Sequence, residues 1–86
     1  MKLRDLRGLG PKSEAMLVEA GIHSVDEFLQ TDPYQLYKNL KEANSSTSLN
    51  FLYAIIGAQE NCDWREIARL RKTEILITLD DMGIAP

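Results

Sequence analysis

The residues best placed to do chemistry are Gly8-Leu9-Gly10-Pro11-Lys12-Ser13, with Arg4 and Arg7 just before them. Two glycines one residue apart allow a tight backbone reversal, because Gly takes φ > 0 without a Cβ clash. Leu9 between them can point inward and anchor the turn. Pro11 suits the first helical position, where its missing N–H would have had no helical partner. The amides of Gly10, Lys12 and Ser13 then stand at a helix start without intrahelical acceptors. Together with the positive end of the helix dipole and the nearby cations, they form a seat for a phosphate or an acidic group. That chemistry is binding rather than bond-making. The expected contact set is Arg4, Arg7, Gly8, Gly10, Lys12 and Ser13.

No other constellation points to catalysis. The single histidine, His23, stands beside Ser24 in a loop. Ser24 has a role as a helix cap, and no third group is in view to orient the imidazole. The ring of His23 is expected to close over the hairpin. One cysteine, Cys62, forms no internal disulfide, and with His23 it makes at most half of a zinc site, which takes three or four ligands. It reads as a buried or half-buried small apolar residue. Asp80-Asp81 are adjacent on a helix, so they diverge and read as solubilising charges. No Walker-type loop or dinucleotide fingerprint occurs. The expectation is a non-enzymatic protein with no cofactor, no metal and no small-molecule substrate.

The elements that must hold the glycine turn follow from spacing and caps. Lys2 to Arg7 supplies a short helical turn at most, with Leu3 and Leu6 on one face. Pro11 to Ala20 reads as a helix ended by Gly21, after which Ile22 packs back on it. Ser24-Val25-Asp26-Glu27 is a capping box, and Val25, Phe28 and Leu29 form the inward face behind it. Asp32-Pro33 opens a longer helix with Leu36, Tyr37 and Leu40 as its stripe, fading near Ala43. Residues 44–47 form a polar loop. Ser48 is placed to cap Leu49 to Gln59, which is apolar on nearly every side and so is expected to be the core helix, with Leu52, Tyr53 and Ile56 central. Asp63 caps a further turn at Trp64, which covers the core edge. A final helix covers about Leu70 to Met82, with Ile75, Leu76 and Leu79 inward, and a strand through Ile77-Thr78 as the weaker alternative. The expected fold is all-α: a compact bundle of five or six short helices, one domain over residues 1–86.

Size and charge bound the function. A chain of 86 residues with 44% hydrophobic content can bury one modest core. No run is apolar and long enough for a signal peptide or a membrane span, and one cysteine suits a cytoplasmic protein. The net charge of −3 argues against a strong general nucleic-acid binder. The distribution is uneven, however. Lys2, Arg4, Arg7 and Lys12 crowd the N-terminus against Asp5, whereas residues 13–36 hold no Lys or Arg. A second basic group, Arg65, Arg69, Arg71 and Lys72, comes late, diluted by Asp63, Glu66 and Glu74.

The run GLGPKSEAML resembles a helix-hairpin-helix element, in which a Gly–apolar–Gly turn joins two short helices and usually holds a nucleic-acid backbone without reading sequence. The longer run LRGLGPKSEAMLVEAGIHSVDEF, with SLNFLYAIIGA and DWREI later on, resembles the C-terminal domain of the TfoX/Sxy regulators of natural competence over nearly the whole chain. AMLVEAGIHSVDEFLQ is more faintly similar to the C-terminal domain of the bacterial RNA polymerase α subunit. The resemblance implies a transcriptional role, since the full-length regulators act at promoters with the cyclic-AMP receptor protein and RNA polymerase. Two departures stand out. The first hairpin helix is short, with about two turns' worth of chain before the glycines. The full-length regulators carry a domain ahead of this one, whereas Met1 begins at the hairpin; a free-standing relative is expected, with a piece cut from a longer protein as the alternative. Two readings follow: a module that touches DNA weakly through its backbone, or an adaptor for a transcription-related protein in which the hairpin serves packing alone.

Overall fold

Four of the five α-helices among the described residues begin at a side-chain cap or a proline. The computed structural model describes residues 1–84. It contains a 3-10 turn, Leu3–Asp5, then α1 (Pro11–Glu19), α2 (Val25–Gln30), α3 (Pro33–Ala43), α4 (Leu49–Glu60) and α5 (Trp64–Asp81). No strand occurs among the described residues, so the expected all-α class holds. The radius of gyration is 12.0 Å, matching the roughly 12 Å of a compact domain of this length.

The caps are specific. Ser24 Oγ accepts the Glu27 N–H at 3.1 Å, Asp32 Oδ1 accepts the Tyr34 N–H at 2.9 Å, and Asp63 Oδ1 accepts the Arg65 N–H at 2.8 Å. Each satisfies a helix-start donor that has no intrahelical partner. At α2 the return contact is side chain to side chain: the Ser24 hydroxyl donates to Glu27 Oε1 at 3.4 Å. Ser48 occupies the N-cap of α4, but its side chain accepts no cap bond. At the end of α1, the Ile22 N–H donates to the Leu17 carbonyl at 2.9 Å and the Gly21 N–H to Val18 at 3.0 Å. That pair is the Schellman closure, and it recurs at the end of α5 through Ile84 and Gly83.

Three expectations need correction. Residues 64–81 form one continuous helix of 18 residues, not a turn followed by a separate helix. No glycine or proline interrupts this stretch, so the helix opened by the Asp63 cap runs through to Gly83. Leu29 is 48% exposed rather than inward. The six residues of α2 offer one narrow inward face, occupied by the fully buried Phe28 and by Val25, which packs against the same cluster. The third concerns His23, which stands exposed to solvent and makes no side-chain hydrogen bond among the described residues.

The core is built on α4. Its Ile55 and Ala58 join Leu9, Leu17, Ile22, Phe28, Leu36 and Leu40 on one side. Leu52, Tyr53 and Ile56 join Tyr37, Ile67, Ile75 and Leu79 on the other. A helix apolar all round can be buried only if both sides are covered, and the chain covers them with different elements. The hairpin, α1 and α2 cover the first side, α5 covers the second, and α3 contributes to both. So Leu52, Tyr53 and Ile56 are central to the α5 side, while Ile55 carries the hairpin side.

Two polar or small residues complete the arrangement. Gln59 Nε2 donates to the carbonyls of Phe28 and Thr31 at 2.9 and 2.8 Å, tying α4 to the end of α2. Gly57 lets the chain return into α5: a Cβ there would lie 2.7 Å from the Cys62 carbonyl oxygen and 3.3 Å from Trp64 backbone. Two stability outcomes are expected. Leu52→Ala removes a fully buried side chain and should cost about 2–5 kcal/mol in urea unfolding. Gly57→Ala, normally favourable inside a helix, should instead cost about 1–3 kcal/mol because the added methyl meets backbone that cannot yield without shifting the α4–α5 connection.

Candidate functional site

The hairpin starts from the 3-10 turn and Leu9. Leu3 is buried, Leu6 packs beside it, and Leu9 is 7% exposed, so the apolar residues pull the turn onto the core. The Leu9 N–H donates to the Leu6 carbonyl at 3.1 Å, closing the reversal around Gly8. Gly8 takes φ +82°, the left-handed conformation that a side chain resists. Gly10 does not share it. At φ −127° it is extended and serves as the N-cap of α1, followed by Pro11 at the first helical position. Both glycines border open space: a Cβ at either would meet nothing within 4 Å. The backbone of the turn is therefore open to a partner.

Arg4 is committed inward to this turn. Its Nη2 and Nε donate to Glu14 Oε1 at 2.8 and 3.0 Å, and its backbone N–H donates to Glu14 Oε2 at 3.1 Å. The carboxylate is the more enclosed partner, with its side chain 18% exposed against 45% for Arg4. The side-chain bond from Arg4 is the main cause that holds the Glu14 carboxyl below its ordinary range, reinforced by the Arg4 backbone bond. The same contact raises the Arg4 guanidinium. The pair clasps the 3-10 turn to α1 and matches the Arg4 charge.

The remaining candidates line two different clefts. Lys12, exposed, and Ser13 border a cleft of about 370 Å³ facing Asn44, Ser46, Ser48 and Asn50 of the α3–α4 connection and the start of α4. Arg7 and Gly8 border another, of about 220 Å³, with Asp63, Trp64 and Arg65 at the start of α5. Arg7 Nη1 donates to the Asn61 carbonyl at 3.3 Å. Asn61 is itself left-handed, at φ 56°. The Arg65 guanidinium lies 5.9 Å from the Trp64 ring centroid, within cation–π range. The backbone bond from Arg65 chiefly holds the Asp63 carboxyl low, with its side chain next, and Arg7 adds to the effect. The expected basic end is thus divided: Arg4 is paired, Arg7 turns toward α5, and Lys12 toward α4.

The sequence carries no local sign that Asn61, Trp64 and Arg65 neighbour the turn. Asp63-Trp64-Arg65 reads only as a helix start, and nothing local ties residues 61–65 to Gly8. Among the described residues no group of His, Cys, Asp and Glu is placed to hold a metal ion. No helix among them is long and apolar enough to cross a membrane. The arrangement leaves the backbone of the turn and the Arg7 and Lys12 side chains exposed.

A small all-α module organised on a glycine reversal and the helix that follows it is the class these features define. The family model for the TfoX C-terminal domain matches residues 1–79, and the chain belongs to that family. A crystal structure of an uncharacterized protein from Listeria monocytogenes is similar to it at 24% sequence identity and a TM-score of 0.83. That match covers 100% of this chain and 99% of the other, and shows the fold. No curated protein matches the chain.

The Arg4–Glu14 clasp has a pH signature. A carboxyl held low in the folded state contributes stability above its unfolded pKa, about 4.3, and that contribution is lost as the pH falls through the lower folded value. Glu14→Gln should therefore be less stable than the native protein at neutral pH, and the gap should close in strong acid. Urea midpoints across an acid titration of both proteins read this directly; a gap independent of pH would show that Arg4 and Glu14 do not titrate as a pair.

Proposed function

We propose that the protein is a non-enzymatic regulatory module of transcription, acting in the competence setting of its family, that contacts the DNA backbone weakly through the hairpin. The observation that carries this reading is the open turn. Gly8 and Gly10 leave the backbone unobstructed, the first amides of α1 follow, and the exposed Arg7 and Lys12 flank them. Amides at a helix start favour an anion through both their unpaired N–H groups and the helix dipole. Such contacts position a backbone and carry no base sequence. Weak affinity follows from the net charge of −3 and from the loss of Arg4 to Glu14.

That same neutralisation favours a second reading, an adaptor for a transcription-related protein, in which the turn is a packing device. One pair of substitutions separates them. Arg7→Glu with Lys12→Glu should leave the helical signal and the melting curve nearly unchanged, because exposed charges of this kind alter stability by about 0.5 kcal/mol or less. Retention on DNA at low salt should be lost, and the retention of the native protein should fall steeply with added salt. DNA retention unchanged by the substitutions, with a protein partner lost, would support the adaptor. Retention of every partner would leave the hairpin a packing element only.

A further inference from the structure

The hairpin's cations do not stop at the hairpin. Arg7 and Gly8 share their cleft with the Asp63 cap and with Trp64 and Arg65 at the start of α5. From Arg65 the sequence continues with Arg69 and Lys72, at i+4 and i+7, which places all three on one face of the helix. All three are exposed, Arg65 with 75% of its side chain in solvent. They rise about 6 Å and then about 4.5 Å along the axis.

The other basic residue of this stretch behaves differently. Arg71 points to another side of α5 and is paired with Glu60 and Glu74. Among the described residues no ion pair joins Arg69 or Lys72, and Arg65 pairs only with its own cap, Asp63. Glu66, exposed beside the stripe, is the remaining nearby acid on α5. A surplus of cations therefore runs from Arg7 across the Trp64–Arg65 stack and down about two turns of α5.

We infer that this stripe is a second nucleic-acid contact, taking phosphates of the same backbone whose adjacent phosphate sits at the hairpin. The inference rests on the DNA reading above and extends it to residues outside the hairpin. A linear ladder of guanidinium and ammonium groups suits the regular charge of a backbone. An acidic protein surface fits it less well, since interface cores are depleted in charge and built on apolar anchors. The exposed apolar residues of α5, Leu70 and Ile77, lie on a different stripe of the helix.

The test compares the native protein with two double variants, Arg69→Glu/Lys72→Glu and Arg7→Glu/Lys12→Glu, on a short mixed-sequence DNA duplex across a salt series. Circular dichroism and melting curves confirm that each is folded. The stripe variant should bind more weakly, and the slope of log affinity against log salt should shrink by about 2, one for each phosphate-contacting cation removed. Random duplexes of different sequence should be affected alike, because the contacts are to backbone. An unchanged affinity and slope in the stripe variant, with binding lost in the hairpin variant, would overturn the stripe and keep the hairpin. Binding lost with the stripe but untouched by the hairpin variant would keep the contact on α5 and overturn the hairpin reading together with the continuous track. No salt-sensitive binding by the native protein would overturn both, and an acidic protein captured only when Arg69 and Lys72 are intact would then assign the stripe to that partner instead.

Discussion

The structure depends on burying α4 from two sides. Leu52, Tyr53 and Ile56 face α5, and Ile55 and Ala58 face the hairpin side. A helix this apolar has no solvated side to offer, so the chain before it and the chain after it must each wrap one half. The second wrap is possible because Gly57 has no side chain where the Cys62 carbonyl passes. The first wrap is secured by Gln59, which supplies the end of α2 with donors from within the core helix. The candidate surface inherits its position from this arrangement. The hairpin rests on the first half through Leu3 and Leu9, and the start of α5 meets it where the second half begins.

Electrostatics then decides what the surface can hold. The chain is acidic overall, yet its acids are unevenly spent. Glu14 is consumed by Arg4, Asp63 by a helix start and Arg65, and Glu60 and Glu74 by Arg71. The pairings that fix geometry also subtract from the cations available to a ligand. Arg4 therefore contributes to the hairpin by clasping it to α1. Arg7 and Lys12 remain exposed, one on each side of the turn in sequence.

Much of the architecture was legible because its signals are local. Asp32-Pro33, Ser24 three residues before Glu27, and Gly21 after an apolar helix each describe a boundary within one turn of chain. The inward stripe of Leu36, Tyr37 and Leu40 follows from period alone. Sequence and structure part where the local signal is incomplete. Leu29 falls on the inward side by spacing, but α2 has only six residues and Phe28 and Val25 already occupy its narrow inward face. The stretch after Asp63 looked like two elements because its apolar pattern is sparse between Ile67 and Ile75, although nothing there breaks a helix.

The candidate site shows the same division more sharply. Sequence alone determined the glycine reversal, the proline-started helix and the exposed Arg7 and Lys12, since these follow from φ preferences and from charges that stay in water. Tertiary structure alone decided that Arg4 meets Glu14, that Arg7 reaches Asn61, and that Gly8 shares a cleft with Trp64 and Arg65. The last two join parts of the chain more than fifty residues apart. No local preference encodes them. They exist because both halves of the chain fold back against α4, and the line along which those halves meet is set by packing.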